Sequence, residues 1–135
     1  MTRITLRVYR DPGQADVFLN IKRKDGGYDK RAAIVDTGAE VSLLPSFLMN
    51  VLDFRPSERG AFTIEQAGIA KQTFQAVETY ITAFLEDEAG NRTNEFEILA
   101  WFADASDILL GFDGVLELAV LHLDMLNLSG YLEFL

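Results

Sequence analysis

Ala33-Ile34-Val35-Asp36-Thr37-Gly38-Ala39 places a carboxylate directly after three apolar residues. Such a run anchors a buried strand, so the acid would emerge at the strand's end with its direction set by the core beneath it. Gly38 permits a close backbone approach that a side chain would obstruct, and Thr37 offers a hydroxyl to a supporting hydrogen-bond network. Asp, Thr and Gly also suit an ordinary turn, so the triplet alone does not separate a positioned acid from a loop. Its surroundings do: Val41-Ser42-Leu43-Leu44-Pro45 follows as a second apolar stretch, and Ile108-Leu109-Leu110-Gly111 later supplies another buried strand ended by glycine.

Working outward, the period-two alternation of Ile4, Leu6 and Val8 with Thr5, Arg7 and Tyr9 predicts a strand with one covered face. Asp11-Pro12-Gly13 is a turn signal, and residues 17–23 read as the returning strand. Asp25-Gly26-Gly27 makes the next turn and feeds a short strand over 31–35. Residues 46–52 suit a short helix with Ser46 as its cap. Residues 62–65 and 73–77 flank Ala67-Gly68-Ile69-Ala70, which suits a hairpin with a mobile tip. Further strands are expected over 80–85 and 96–102, one or two helical turns over 113–118 with Asp113 as cap, and a final hairpin around 127–130. The expected class is all-β, in one domain spanning residues 1–135.

Composition narrows the functions. Residues 1–50 carry eight basic against six acidic groups, and residues 51–135 carry four against fifteen. The larger part of the chain therefore lacks the concentrated Lys and Arg that phosphate binding needs, and no nucleic-acid partner is expected. The run Lys22-Arg23-Lys24 reads as a solvated strand end. Without cysteine there is no disulfide, thiolate nucleophile or thiolate metal site. No apolar run is long enough to span a bilayer and the first residues alternate, so no membrane partner is expected and the cytoplasm is the default location.

The pairing of Ile34-Val35-Asp36-Thr37-Gly38-Ala39 with Leu109-Leu110-Gly111 resembles the retroviral-type aspartic peptidases, the single-lobed relatives of the pepsins. The resemblance covers roughly residues 4–135 in order and spacing, although only these two elements are close motif matches. It implies a single-lobed, closed and mostly antiparallel β fold, a flap hairpin over a peptide cleft, and a short helix after the late Leu-Leu-Gly element. It also implies a homodimer that binds an extended peptide or protein substrate and uses no cofactor and no metal. Asp36 carries over as the catalytic residue, and Thr37, Gly38 and Ala39 as its supporting loop. Gly68 and Ile69 correspond to the flap, with the usual glycine-rich tip poorly matched. Leu109, Leu110 and Gly111 correspond to the structural strand beside the active site. Retroviral members often pair an arginine after the late glycine with an acid four positions beyond the catalytic aspartate. Here Glu40 holds the second place but Phe112 replaces the arginine, so apolar packing by Phe112 is the expected substitute.

One aspartate per chain suffices if two chains meet on a two-fold axis, because hydrolysis needs one carboxylate to take a proton from water and a second acid to donate one. Two readings stay open: an endopeptidase activating water between two Asp36 carboxyl groups, and an inactive peptide-binding dimer of the same fold. Other residues invite blander readings. His122 stands alone in an apolar strand and cannot form a triad or a histidine-rich metal site. Glu86-Asp87-Glu88 reads as an exposed turn, Asp104 and Asp107 as strand terminators, and Trp101 with Phe102 as core.

Overall fold

The computed structural model describes residues 1–65 and 73–135, with side chains described outside 64–74. The alternating N-terminal segment splits into β1 (Thr2–Thr5) and β2 (Arg7–Arg10), which belong to different sheets. Leu6 is the corner: it is buried, and its N–H donates to Gly130 O at 2.9 Å. β3 (Gly13–Lys22) returns antiparallel from the Asp-Pro-Gly turn, with Arg10 opposite Gly13, and buries Val17, Leu19 and Ile21. A turn with Gly26 at φ +90° then leads to β4 (Tyr28–Val35), which starts earlier than the 31–35 expected because Tyr28, Asp29 and Lys30 continue the ladder with β3.

β5 (Ser42–Pro45) runs into a 3-10 helix over Ser46–Asn50. Its cap is Pro45 and not Ser46, with no side-chain hydrogen bond. Pro45, at φ −58° and ψ 133°, is still extended, and the helical turn begins at Ser46. β6 (Phe54–Glu65) and β7 (Thr73–Glu86) form a long antiparallel hairpin stem. β7 is one strand where two were expected, over 73–77 and 80–85. At the gap between them, Thr79 is fully buried with its hydroxyl donating to Ala100 O at 3.2 Å, while Glu78 points to the opposite face. The expected hairpin tip, with Gly68 and Ile69, lies outside the described residues.

β8 (Phe96–Ala103), β9 (Ile108–Leu110), a 3-10 turn at Leu116–Leu118, β10 (Ala119–Asp124) and β11 (Ser129–Phe134) complete the chain. The large sheet has the order β2-β3-β4-β9-β5-β8-β7-β6, and β3 also pairs with β7, so the strands from β3 to β7 close into a barrel. β1, β11 and β10 make a separate three-stranded sheet in which β10 and β1 are the edges. The interior holds Leu19, Leu44, Ile81, Ile98, Phe102 and Leu110, each at most 1% exposed. Burying one such side chain contributes about 1.5–3 kcal/mol, which makes this apolar interior the main stabilising term. No helix among the described residues is long and apolar enough to cross a membrane.

The Glu86-Asp87-Glu88 expectation is corrected. Glu86 and Asp87 are 8% and 3% exposed, and only Glu88 is in solvent. Glu86 accepts from Asn20 and pairs with Lys30 and Arg92 at 3.1 and 3.0 Å. Asp87 collects the N–H groups of Thr5, Ala89 and Asn91, and the Asn91 side-chain amide. These bonds replace the water that burial removes, so a buried acid turn is affordable here where composition alone suggests exposure. His122 lies exposed on β10, stacked on Tyr131.

Candidate active site

Asp36 is delivered by β4, which sits between antiparallel β3 and parallel β9. Ala33, Ile34 and Val35 face Ile108, Leu109 and Leu110 in register, and the Asp36 N–H extends the ladder to Leu110 O at 3.0 Å. The chain then turns. Gly38 N–H donates to Asp36 Oδ1 at 2.9 Å and Ala39 N–H to Asp36 O at 3.2 Å. A side chain on Gly38 would bring its Cβ within 3.3 Å of Asp36 Oδ1. Asp36 is half-buried, Thr37 and Gly38 are exposed, and among the described residues the Gly38 amide is the one hydrogen-bond donor to the Asp36 carboxylate. A strand end thus holds the acid's backbone while one carboxylate oxygen stays available.

The late glycine explains how the loop is held. A Cβ on Gly111 would lie 2.7 Å from Val41 C and 2.8 Å from Ala39 O, so no other residue fits without moving backbone. At that close approach Gly111 N–H donates to the buried Ser42 hydroxyl at 3.0 Å, Phe112 N–H to Ala39 O at 3.0 Å and Asp113 N–H to Glu40 O at 2.9 Å. Residues 36–42 and 110–113 are therefore stitched together. Ser42 was missed in the sequence reading; its signal is a lone hydroxyl inside the apolar run 41–45.

Leu110 points into the core, and Leu109, half-buried, points to the other face. Pairing registers place Ile34, Leu109, Leu43, Trp101 and Glu78 in one row across β4, β9, β5, β8 and β7. This row begins two residues before Asp36 and runs to the hairpin stem. Trp101 therefore leaves the core, contrary to expectation, and only Phe102 is inside. The reason is strand alternation: adjacent residues of β8 face opposite sides. The Trp101 indole N–H donates to Glu78 Oε2 at 2.8 Å and its ring meets Phe62 edge-on at 5.0 Å.

Two smaller expectations also change. Phe112 is 42% exposed, so within one chain its ring does not replace an Arg–acid pair by packing. Asp113 does not cap the following turn; Glu117 accepts the Gly114 N–H at 2.9 Å, and Gly114 at φ +72° makes the bend. Burial pushes the Asp113 carboxyl pKa up, and Glu117, Glu78 and Glu40 add to that shift by charge repulsion. Asp104 directly follows β8 and Asp107 directly precedes β9, both exposed, in keeping with strand termination. No cluster of three or more His, Asp or Glu side chains arranged to hold a metal occurs among the described residues.

No protein-family model matches the sequence, and no curated protein matches it either. Solved structures do. A retropepsin-like aspartic protease from Rickettsia conorii superposes with a TM-score of 0.57 at 17% identity, covering 96% of this chain and 89% of that one. EIAV protease complexed with the inhibitor HBY-793 gives a TM-score of 0.44 at 15% identity, covering 77% of this chain and 86% of that one. At these identities the first match shows the fold: the chain has the all-β, closed-barrel architecture of the retropepsins.

Proposed function

We propose that this chain is one subunit of a homodimeric aspartic endopeptidase, a single retropepsin-like domain over residues 1–135, in which two copies of Asp36 activate one water between them. The observation that carries this reading is the Asp36 loop. A carboxylate at the end of a buried strand, fixed through Leu110 O and the Gly111–Asp113 amides yet accepting one local hydrogen bond, is an acid positioned and left free to react. The retropepsin-like barrel supports the same class of chemistry.

In that assembly two carboxyl groups meet at close range. Like charges so near cannot both ionise easily, so the pair shares a proton and titrates as a unit. The charged member takes a proton from water as it attacks the scissile carbonyl. Its protonated twin hydrogen-bonds the carbonyl oxygen, and a proton passes to the amide nitrogen as the tetrahedral intermediate collapses. Thr37, exposed beside Asp36, reaches the partner's loop with its hydroxyl, and Gly38 and Ala39 present backbone to the substrate. Ile34, Leu43 and Leu109 give the cleft an apolar floor. The β6–β7 stem, paired as far as Glu65 opposite Thr73, supports assigning the flap to this hairpin, whose expected flap residues Gly68 and Ile69 lie outside the described residues.

The three-stranded sheet supports pairing with a second copy. Its edge strand β10 and the adjoining turns expose Leu118, Val120, Leu123, Met125 and Leu126. An open strand edge carrying apolar side chains is a surface that a second chain covers with gain.

The test is cleavage of a diverse peptide library by the purified chain, with sedimentation to read its mass. Cleavage by a dimer, lost in Asp36→Asn without loss of the dimer, supports the enzyme. A dimer that binds peptides across acidic and neutral pH without cutting them is the inactive module instead. A monomer that cleaves equally well with Asp36→Asn overturns the proposal.

A further inference from the structure

The hairpin stem has a discontinuity that the peptidase chemistry does not use. The β6–β7 register runs Phe54 to Pro56 against Ile81 to Thr79, and resumes at Ala61 against Val77. Glu78 alone therefore faces four residues, Ser57-Glu58-Arg59-Gly60, an unusually large bulge. Gly60 at φ +61° supplies the left-handed step that returns the chain to the ladder.

The bulge is closed by side chains that converge on one carboxylate. Ser57 Oγ donates to Glu78 Oε1 at 2.9 Å while accepting the Arg59 and Gly60 amides. Trp101 Nε1 donates to Glu78 Oε2 at 2.8 Å, and an Arg59 guanidinium nitrogen stands 3.8 Å from the same oxygen. The Arg59 guanidinium lies 3.6 Å over the Phe62 ring. Below the bulge, Arg55 holds β6 to β8 through Glu97 at 2.6 and 3.1 Å; above it, Phe62 packs on Trp101. Beside the bulge lies an open concavity of about 470 Å³ lined by Arg55, Ser57, Arg59, Glu78 and Tyr80 among others. The stem thus has two clamped parts, a join with few backbone bonds, and room next to that join.

We infer that the Ser57–Gly60 bulge is the pivot of the β6–β7 arm and that Glu78 is a positioning residue, setting the arm's angle over the Asp36 face through Ser57, Trp101 and Arg59. Bulges re-aim strands, and a join that lacks ladder hydrogen bonds bends where the paired segments on either side do not. Because Trp101 continues the row through Leu43 and Leu109 to Ile34, the arm's angle is referred to the strand that carries Asp36. The consequence for peptide cleavage rests on the peptidase reading above; the pivot itself does not.

The experiment compares amide hydrogen exchange in the full-length chain and its Glu78→Ala and Glu78→Gln variants, with peptide cleavage followed in parallel. In Glu78→Ala, amides at 61–63 and 75–77 are expected to exchange about tenfold faster while β3 and β4 are unchanged. KM for an extended peptide is expected to rise about tenfold with kcat held within about twofold, since positioning and not chemistry is lost. Glu78→Gln retains an oxygen for one donor and restores most of the protection. If Glu78→Ala does not fold, the double variant Ser57→Ala with Arg59→Ala leaves Glu78 bonded to Trp101 and is expected to raise exchange in the same amides. Unchanged exchange in the arm, or exchange raised equally in β3 and β4, overturns the pivot. Faster exchange confined to the arm of a chain that cleaves nothing upholds the pivot and removes the peptidase reading.

Discussion

Two aspartates end strands in this molecule and have opposite surroundings. Asp87 follows β7, is 3% exposed, and is filled by the amides of Thr5, Ala89 and Asn91 and the Asn91 side chain. Asp36 follows β4, is half-buried, and accepts one local bond from Gly38. Both are followed closely by a glycine, and both are held by backbone. The difference is where the hydrogen bonds go. Around Asp87 they saturate the carboxylate; around Asp36, among the described residues, they run instead between main-chain atoms of 36–40 and 110–113, so the loop is held while its acid is not used up. An acid that has spent its acceptors on structure cannot take a proton from water, whereas one fixed through its backbone can.

That contrast can be broken most directly at Asp36. Asp36→Asn keeps Oδ1 for Gly38 but cannot act as a base, so cleavage is expected to fall by about 10³-fold or more with stability changed by less than about 0.5 kcal/mol. Single-turnover assays beside thermal melts check both halves. Asp87→Ala should behave in reverse. It strands several buried amides and is expected to cost about 3 kcal/mol by denaturant titration, with activity per folded molecule retained. Equal activity losses in the two variants would erase the distinction.

Gly111→Ala tests the stitching of the Asp36 loop. A Cβ at 2.7 Å from Val41 C must push backbone aside, for an expected loss of about 2 kcal/mol together with a disproportionate drop in kcat. A loss of stability with kcat untouched would separate the late glycine from the acid's placement.

The pH dependence sharpens the comparison through groups other than Asp36. Lys30 above all holds Glu86 below the usual carboxylate range, with Asn20 and Arg92 helping. Burial acts against Asp87, but its amide donors outweigh that cost and its pKa is also lowered. Groups depressed in the folded state stabilise it above their unfolded pKa, and this contribution is lost as pH falls through the folded value. Melting temperature should therefore decline on acidification below about pH 4, and less steeply in Asp87→Ala. Asp113 has the opposite sign. Its raised pKa means that the folded chain holds that proton more tightly, so its contribution is present below the unfolded value and lost as pH rises through the folded one. Asp113→Asn should remove this dependence, making the chain slightly more stable near neutrality and no different in strong acid.

Much of the architecture was legible from period and punctuation. The turn residues at 11–13 and 25–27 and the apolar runs before Asp36 and Gly111 each correspond to observed turns and strands, whereas the alternation of 4–8, read as one strand, is divided at Leu6 between two sheets. Errors fell where one residue had two readings. Residues 78 and 79 fall between two expected strands yet continue β7, and Glu86-Asp87 reads as an exposed turn yet is buried, because a polar residue is written the same way whether water or a buried donor satisfies it. The sequence reads Trp101 as core beside Phe102, whereas alternation along β8 turns it toward Glu78. The bulge at 57–60 had no period to violate and passed unread.

By itself the sequence determined the all-β class and the strand-end position of Asp36, because both depend on local order: alternation, apolar runs and the backbone freedom of glycine. Only the tertiary structure decided that residues 36–42 and 110–113 are bound amide to carbonyl, that among the described residues Asp87 is saturated while Asp36 is not, and that Glu78 gathers donors from two strands. Those are pairings between distant parts of the chain, and the partner of a hydrogen bond is set by which surfaces fold together.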